Sequence, residues 1–310
     1  MTECECPNIY NEINSTGREF YNIIYNIKKI LLNEFLHGGH LVSLAAPALA
    51  ISTMILLNLT IRWDFLLITY LGTLCIYNYD YIKGLNIDYS DNLKRSKHIQ
   101  KLQNLRIIIL TFYGIAFLSL LIYFGNVLSI IFGIALLLIG LLYTDVFKRF
   151  TKKIVGFKNL YTSISFSLLI IFTPIFYSYQ LNLMFSTFFI FILLQFIVDT
   201  SYCDIKDMKG DKKQNLKTLP LHFGREKFLN FLHVINITAF LILIIASAIT
   251  IIPLYSLILL PFCLYRVFYI NKAKNPKTNV QLLSSLVDAE YFFWPFVLLI
   301  GKMVLPTMLF

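Results

Sequence analysis

The stretch IIILTFYGIAFLSLLIYFGNVLSIIFGIALLLIGLLY, which runs from Ile107 to Tyr143, contains no charged residue. It is nearly twice as long as the ~20 apolar residues that cross ~30 Å of hydrocarbon as a helix. Gly125 near its middle predicts a very short turn rather than one long helix. The stretch therefore predicts two consecutive membrane spans, over residues 104–123 and 126–143.

Seven further apolar stretches repeat this pattern, at 41–60, 64–79, 160–178, 184–203, 229–249, 252–270 and 291–308. The composition agrees with nine spans, since 57% of the residues are hydrophobic and 14% are charged, against roughly 25% charged in an average soluble domain. The mean hydropathy is +0.69. These values exclude a disordered chain and argue against an ordinary soluble enzyme. They predict an all-α, polytopic helical bundle in a lipid bilayer.

Basic residues collect in four of the gaps between the spans. If the N-terminus is cytoplasmic, the cytoplasmic loops are 80–103, 144–159, 204–228 and 271–290, and they hold five, five, seven and three Lys or Arg residues. The opposite side keeps little besides Arg62. By the positive-inside rule, this asymmetry predicts a multi-pass protein whose N-terminus and basic loops are cytoplasmic. The net charge of +10 is then expected to serve contact with the membrane surface, and we expect no nucleic-acid partner.

Residues 1–36 are expected to form an amphipathic lead-in, separate from a transmembrane domain over residues 37–310. Apolar residues such as Ile27 and Leu31 recur there at helical spacing beside Lys28 and Lys29, which predicts a helix on the membrane surface. The first dozen residues lack the basic start and apolar run of a signal peptide. An odd set of five cysteines without zinc-like spacing predicts neither a disulfide framework nor a structural metal.

Seven of the 17 acidic residues fall in two short segments, each of which follows a span and opens a basic loop. The segments hold Asp80, Asp88 and Asp91, then Asp199, Asp204, Asp207 and Asp211. Residues three, four, seven or eight apart share a helix face, so these carboxylates are expected to lie close together and repel one another. Hard oxygen ligands of this kind suit Mg²⁺, whose usual anionic partner is a phosphate group. For any single aspartate, solvation of a loop end is the alternative.

Basic and aromatic residues surround both clusters. Most of the lysines are expected to serve only the topology, while some compensate the negative charge of a phosphate group. The candidates for that role are Lys152, Lys153, Lys158, Lys206 and Arg225. Tyrosines that bracket the aspartates, among them Tyr81 and Tyr202, either stabilise a cation through their rings or form an interfacial aromatic belt.

The segment CDIKDMKGDKKQNLKTLPLHFG, from Cys203 to Gly224, resembles the second aspartate-rich motif of the UbiA superfamily of intramembrane prenyltransferases. That motif is often written DxxDxxGD, followed by a short linker, TLP and G. The matching positions here are Asp204, Asp207, Gly210, Asp211, Thr218, Leu219, Pro220 and Gly224. The resemblance rests on a specific motif, and the predicted spans agree with it along most of the chain.

The first motif departs from the family pattern NDxxDxxxD. With Asp80 and Asp88 placed on its aspartates, Gly84 stands at the intervening aspartate and Ile76 at the asparagine. A start at Asn78 puts Ile82 at the first aspartate. The looser form YxxD fits YNYD, which ends at Asp80. We therefore expect Asp80 and Asp88 to act as ligands, with Asn78 or Asp91 assisting.

The resemblance implies a helical bundle around a central cavity that binds a prenyl diphosphate through Mg²⁺. The expected metal and catalytic ligands are Asp80, Asp88, Asp204, Asp207 and Asp211. Ionisation would give an allylic carbocation, which a lipophilic acceptor captures through an aromatic ring or a hydroxyl group. The leading prediction is thus a membrane prenyltransferase that uses Mg²⁺, a prenyl diphosphate and a lipophilic acceptor.

Two other functions stay open. A terpene cyclase on the same fold would ionise the same substrate and quench the cation with the substrate's own double bonds. A transporter would place ionisable residues near the bilayer midplane. The spans look nearly free of interior charge, with Asp199 and Lys302 near helix ends, which argues against a transporter.

Overall fold

The structure, a computed structural model, describes residues 22–88, 93–275 and 278–305 apart from Ile23, Asn26 and Asn279. For residues 86–88, 209, 280–286 and 288 it describes the backbone alone. Within these ranges the chain forms α-helices and no β-strands. The helices are α1 (Ile27–His37), α2 (His40–Ser43), α3 (Ala45–Leu56), α4 (Trp63–Asp88), α5 (Leu93–Lys101), α6 (Gln103–Phe124), α7 (Val127–Asp145), α8 (Phe157–Phe176), α9 (Leu183–Lys213), α10 (Leu219–Phe223), α11 (Arg225–Ala248), α12 (Leu260–Lys274) and α13 (Val280–Val304). Short 3₁₀ turns at Phe147–Lys152 and Leu254–Leu259 precede α8 and α12.

The turn predicted at Gly125 is present. Helix α6 ends at Phe124 and α7 begins at Val127. The Asn126 side chain caps α7 by accepting a hydrogen bond of 2.8 Å from the backbone N–H of Ser129. Such a cap is worth about 1 kcal/mol, and it stops the long apolar stretch from continuing as one helix.

The count of nine spans is not confirmed. In the described part of the chain, six segments are long and apolar enough to cross a membrane: Gln103–Phe124, Val127–Asp145, Phe157–Phe176, Leu183–Met208, Arg225–Ala248 and Leu254–Lys274. A seventh span is present if α1 and the segment His40–Leu56, bent by 55° where they meet, count as one. Helices α4 and α13 have 26 and 25 residues but are not among these six.

Three apolar cores hold the described helices together, and α3 and α8 contribute to the first two. The first core joins α3, α8, α9, α11 and α13, with Phe191 stacked on Trp294 at a ring distance of 5.8 Å. The second joins α3, α4, α6, α7 and α8 around Phe65 and Phe172, whose rings lie 5.0 Å apart. The third joins α9, α11, α12 and α13 around Tyr202 and Tyr269. The outer faces of α6 and α7 carry many exposed apolar side chains. This distribution fits a bundle whose outer surface faces lipid.

Two close approaches position the end of the bundle where the aspartates lie. At Gly140 on α7, an added Cβ would come within 2.3 Å of the Ile76 side chain on α4, so only glycine lets these helices meet there. Gly156 precedes α8 with φ of +71°, a conformation that glycine adopts without strain. Its N–H bonds to the carbonyl of Lys217, and the N–H of Lys217 bonds to that of Thr151, each at 2.9 Å. The chain before α8 and the chain after α9 are thereby joined.

The lead-in is helical where it is described. Its apolar residues Ile27, Leu31 and Phe35 are all exposed, as expected for a helix in contact with lipid. Residues 1–21 lie outside the described residues. The division at residue 36 and the surface position of this helix remain predictions.

Candidate active site

Two adjoining cavities lie between α4, α7, α8, α9 and α13. Cavity A has a volume of about 240 Å³ and is lined by Thr73, Ile76, Tyr77, Asp80, Leu136, Gly140, Tyr143, Thr144, Lys158, Tyr161, Thr162, Ser165, Phe166 and Leu169. Cavity B has a volume of about 210 Å³ and is lined by Val42, Ala45, Tyr77, Lys158, Asn159, Thr162, Phe166, Phe196, Asp199, Thr200, Cys203, Asp204, Asp207 and Tyr291. Four residues line both: Tyr77, Lys158, Thr162 and Phe166.

Helical spacing explains how the aspartates reach these cavities. On α4, Tyr77 and Asp80 lie three residues apart and share one face, while on α9 Asp207 lies three residues after Asp204 and eight residues after Asp199. Asp80 therefore lines cavity A, and the α9 aspartates line cavity B. The two acidic segments, more than a hundred residues apart in sequence, thus face adjoining cavities with shared walls. The convergence of Asp80, Asp88, Asp204, Asp207 and Asp211 on one cavity stays a prediction.

Lys158 is the basic side chain placed between the two acidic groups. Its Nζ lies 2.7 Å from Asp204 Oδ1, and the Asn159 side chain donates to Asp204 Oδ2 at 2.8 Å. Asp204 is 1% exposed at its side chain, whereas Lys158 is 28% exposed because it faces the cavities. The charges of Asp207 and Asp211 also act on Lys158. The ammonium group thus partly balances several carboxylates.

The remaining walls are mixed in character. Across cavity A, the Thr144 hydroxyl donates to Asp80 Oδ1 at 2.9 Å, while Leu136, Leu169 and other apolar side chains line the far side. Around cavity B, Phe166 stacks on Phe196 at a ring distance of 5.0 Å, and Phe196 stacks on Tyr291 at 4.9 Å. Each cavity therefore combines a polar region near Lys158 with apolar or aromatic walls.

The family model of the UbiA prenyltransferase family matches residues 95–296. The chain belongs to the UbiA prenyltransferase family. A comparison with curated proteins finds no match. Among solved structures, a UbiA homolog from Archaeoglobus fulgidus bound to DMAPP and Mg²⁺ superposes with a TM-score of 0.63 at 15% identity, over 88% of this chain and 99% of that one. A digeranylgeranylglyceryl phosphate synthase gives 0.61 at 17% identity, over 89% and 100% of the two chains. The apo UbiA homolog from Aeropyrum pernix K1 gives 0.63 at 10%, over 85% and 97%. At these identities the likeness extends to the fold, and it confirms the predicted UbiA-like helical bundle.

The donor set of this UbiA family member fits Mg²⁺, provided that phosphate supplies further oxygens. Asp80, Asp204 and Asp207 offer hard carboxylate oxygens, and Asn159 Oδ1 is buried without a hydrogen-bond partner among the described residues. No three His, Cys, Asp or Glu side chains of the described residues lie close enough together to hold a metal ion.

The other predicted ligands lie apart from the cavities or outside the described atoms. Asp211 is buried but lines neither cavity. The backbone of Asp88 ends α4, and its side chain lies outside the description. Asn78 is buried against the scaffold: its Nδ2 donates to the carbonyls of Gly38 and Leu74, and its Oδ1 accepts from Arg106. The part of Asn78 in substrate binding stays a prediction.

Most of the predicted basic and aromatic substrate ligands also lie away from the cavities. Lys152, Lys153 and Lys206 are exposed. Arg225 donates to the carbonyls of Ala273 and Asn275 at 2.8 and 3.4 Å. Tyr81 lies under the Arg95 guanidinium, and Tyr202 donates to the carbonyl of Tyr269. Among the basic and aromatic residues proposed from the sequence as substrate ligands, Lys158 is the one that lines the cavities.

The expectation that the spans are nearly free of interior charge is wrong. Arg266 on α12 is completely buried and pairs with Asp199 on α9 and Glu290 on α13. Arg106 on α6 is also completely buried and donates to Glu34 on α1. Sequence reasoning overlooked these residues because each partner lies far away in the chain.

Proposed function

We propose that this chain is a Mg²⁺-dependent membrane prenyltransferase, which ionises a prenyl diphosphate and transfers its isoprenoid chain to a lipophilic acceptor. The observation that carries the proposal is the meeting of the two acidic segments across cavities that share Lys158. The structural neighbours bound to DMAPP or GPP and Mg²⁺ support the same class of substrate.

The diphosphate is placed between Asp80 on one side and Asp204 and Asp207 on the other, against Lys158. Mg²⁺, which these aspartates would hold, would supply positive charge that neutralises the diphosphate leaving group. The Lys158 ammonium now bonded to Asp204 turns to a diphosphate oxygen and stabilises the charge that develops there. Thr144 holds Asp80 in its orientation.

The apolar side of cavity A supports a site for the isoprenoid chain. A smaller cavity of about 30 Å³ shares Thr73, Ile76, Leu136 and Leu169 with it and reaches the ring of Phe117. Apolar walls exclude water from the allylic cation, which water would otherwise capture.

Cavity B supports a place for an acceptor. It adjoins the proposed diphosphate site, and its stacked rings of Phe166, Phe196 and Tyr291 favour a flat aromatic molecule over a glycerol-type one. The presence of this second space also favours transfer over cyclisation, because a cyclase needs room for only one substrate.

The aspartate end of the bundle is assigned to the cytoplasmic side, together with the N-terminus. The support is the concentration of Lys and Arg in the loops at 80–103, 144–159, 204–228 and 271–290. Labelling of single cysteines in intact cells tests this orientation.

The decisive experiment measures turnover of prenyl diphosphates of graded chain length in detergent, with Mg²⁺ or with a chelator. We expect diphosphate release that requires Mg²⁺ and that falls at least a hundredfold in Asp204→Asn. The matched control is Asp145→Asn, because Asp145 at the end of α7 is exposed and bonds to Tyr79 and Lys83 instead. Release of cyclic hydrocarbon without an acceptor would indicate a cyclase. Absence of any Mg²⁺-dependent turnover would contradict the proposal.

A further inference from the structure

A buried cluster of charges joins α9, α12 and α13 behind one wall of cavity B. Arg266 donates to both oxygens of Asp199, at 2.7 and 3.0 Å, and to Glu290 Oε1 at 3.0 and 3.2 Å. The hydroxyl groups of Tyr269 and Tyr291 also donate to Asp199. Trp294 Nε1 donates to Glu290 Oε1 at 3.2 Å.

The cluster contains two carboxyl groups and one guanidinium group. If both carboxyl groups are ionised, one negative charge is in excess, in side chains that are 0 to 7% exposed. Burial disfavours an excess charge, and one proton makes the cluster neutral. Glu290 Oε2 is buried and has no hydrogen-bond partner among the described side chains, so within the described part of the chain the second carboxyl group is only half satisfied. The cluster therefore has a physical tendency to accept a proton.

The cluster is connected to the cavity at one place. Asp199 and Tyr291 line cavity B, whereas Arg266 and Glu290 do not. The Tyr291 hydroxyl donates to Asp199, and its oxygen accepts a long hydrogen bond of 3.4 Å from Arg266 Nη2. The second lone pair of this oxygen can accept a hydrogen bond from a molecule in the cavity. A proton donor beside the Tyr291 ring can thus reach the Asp199 carboxylate through one hydroxyl group.

We propose that Asp199, reached through the Tyr291 hydroxyl, accepts the proton of a phenolic acceptor bound in cavity B. The inference rests on the proposed function. The bond between the allylic carbon and the diphosphate oxygen breaks, and its electron pair leaves with the diphosphate. The acceptor loses its hydroxyl proton to Asp199 through Tyr291, and its phenolate oxygen donates the electron pair that forms a carbon–oxygen bond to the allylic carbon. Asp199 later returns the proton to the solvent or to the departing diphosphate.

Other ionisable groups face Asp199 and enter the pH dependence of this step. From α12 these are Tyr265, Arg266 and Tyr269, from α13 Glu290 and Tyr291, and across the cavity from α8 Lys158. Because Arg266 stays charged, protonation of Asp199 leaves an ion pair of Arg266 and Glu290 whose net charge is zero. The variant Asp199→Asn reproduces that neutral state, so we expect it to fold.

The test separates ionisation from proton transfer. Positional isotope exchange between bridging and non-bridging oxygens of the recovered prenyl diphosphate reports ionisation without any acceptor. Transfer is measured with para-substituted phenols of graded acidity, from a para-alkyl phenol to para-nitrophenol. In Asp199→Asn we expect isotope exchange within about threefold of the wild-type rate, and transfer to the para-alkyl phenol lower by about 10²–10⁴, the usual range for a lost general base.

The dependence on phenol acidity distinguishes a base from a structural residue. The loss in Asp199→Asn should shrink for para-nitrophenol, which is already largely ionised, and Tyr291→Phe should show the same trend. Glu290→Gln keeps Asp199 but removes the excess charge, and it should shift the pH profile of transfer to the weakly acidic phenols. Asp145→Asn is the control and should match the wild type throughout.

Several outcomes overturn the inference. They are an equal loss for every phenol, an equal loss of isotope exchange and transfer, no loss, or a wild-type protein that ionises the diphosphate but alkylates no phenol. A wild-type protein that shows neither isotope exchange nor diphosphate release would instead contradict the proposed function.

Discussion

Replacement of Lys158 by Met tests the centre of the proposed site, since it removes the charge and keeps most of the volume. In the wild type, the Lys158 ammonium lies 2.7 Å from Asp204, whose side chain is 1% exposed. In Lys158→Met this carboxylate stays buried, with Asn159 as its remaining described hydrogen-bond donor. Loss of one member of a fully buried ion pair costs about 3–5 kcal/mol.

The expected loss in the free energy of unfolding is smaller for the Lys158–Asp204 pair, and it depends on which partner is removed. Lys158 is 28% exposed, so water reaches the pair, and Asn159 still donates to Asp204. We expect Lys158→Met to lower the free energy of unfolding by about 2 kcal/mol, below the range for a dry pair. Asp204→Asn leaves a cation near water and other carboxylates, so its cost should be at most about 1 kcal/mol, in the range of an exposed pair. Mg²⁺ with a prenyl thiodiphosphate should recover part of the loss in Lys158→Met.

The assay is unfolding in mild detergent titrated with SDS, with Lys213→Met as the control because Lys213 is exposed at the end of α9. Turnover should fall by about 10²–10³ in Lys158→Met, as for a lost group that stabilises developing charge. Equal stability of Lys158→Met and Lys213→Met, or wild-type turnover in Lys158→Met, would show that the ammonium group does not balance this site.

Three further changes test the metal and the scaffold. Mg²⁺ and a prenyl thiodiphosphate should raise the melting temperature when added together and hardly at all when added separately, because the aspartates repel a free diphosphate and do not complete a metal site alone. Asp207→Asn should lose this joint shift. Full stabilisation by the thiodiphosphate in the presence of a chelator would refute the metal-bridged site. Asp88→Ala should abolish turnover in the activity assay, while its size-exclusion profile in detergent should show that the protein stays folded. Wild-type rates would show that Asp88 takes no part in the site. Arg106→Met should lower the free energy of unfolding in SDS by about 2 kcal/mol, below the range for a dry pair, since Glu34 loses its buried guanidinium partner but keeps His40 and His98. An unchanged value would mean that the two histidines and water already compensate Glu34.

The helical class and the alignment of aspartates on one helix face follow from local rules, whereas the arrangement of the two acidic segments around shared walls depends on tertiary packing. An uncharged stretch near twice the span length, with a glycine and an asparagine at its middle, can only be two capped helices in lipid. Asp204 and Asp207 share a helix face because of their spacing, whatever surrounds them. The number of spans was harder to predict from the sequence. Helices α4 and α13 carry polar residues that serve the interior of the bundle, so their sequences are less apolar than those of the other spans.

Which lysine belongs to the site could not be read from the sequence. Lys152, Lys153 and Lys158 lie within seven residues of one another and serve the positive-inside rule equally well. Only Lys158 stands on the face of α8 that turns toward Asp204, and this depends on the φ of +71° at Gly156, which sets where α8 begins. The rotation of a helix about its axis is fixed by tertiary packing, which charge counts do not report.

Interior charge by itself does not distinguish an enzyme from a transporter in this chain. Arg266 and Glu290 each interrupt apolar runs, in LPFCLYRVFYI and DAEYFFWPF, and a charge in such a run is costly unless it is paired. Each therefore predicts a partner, although only the fold shows that Asp199 completes the cluster. A carrier must let such charges change partners during transport, whereas here Arg266 is completely buried and is fixed by three helices that pack around aromatic rings. Of the three charged residues in this cluster, Asp199 is the one that lines cavity B, beside the carboxylates of the second aspartate motif. Its place there favours a part in the chemistry of that cavity over a path across the membrane.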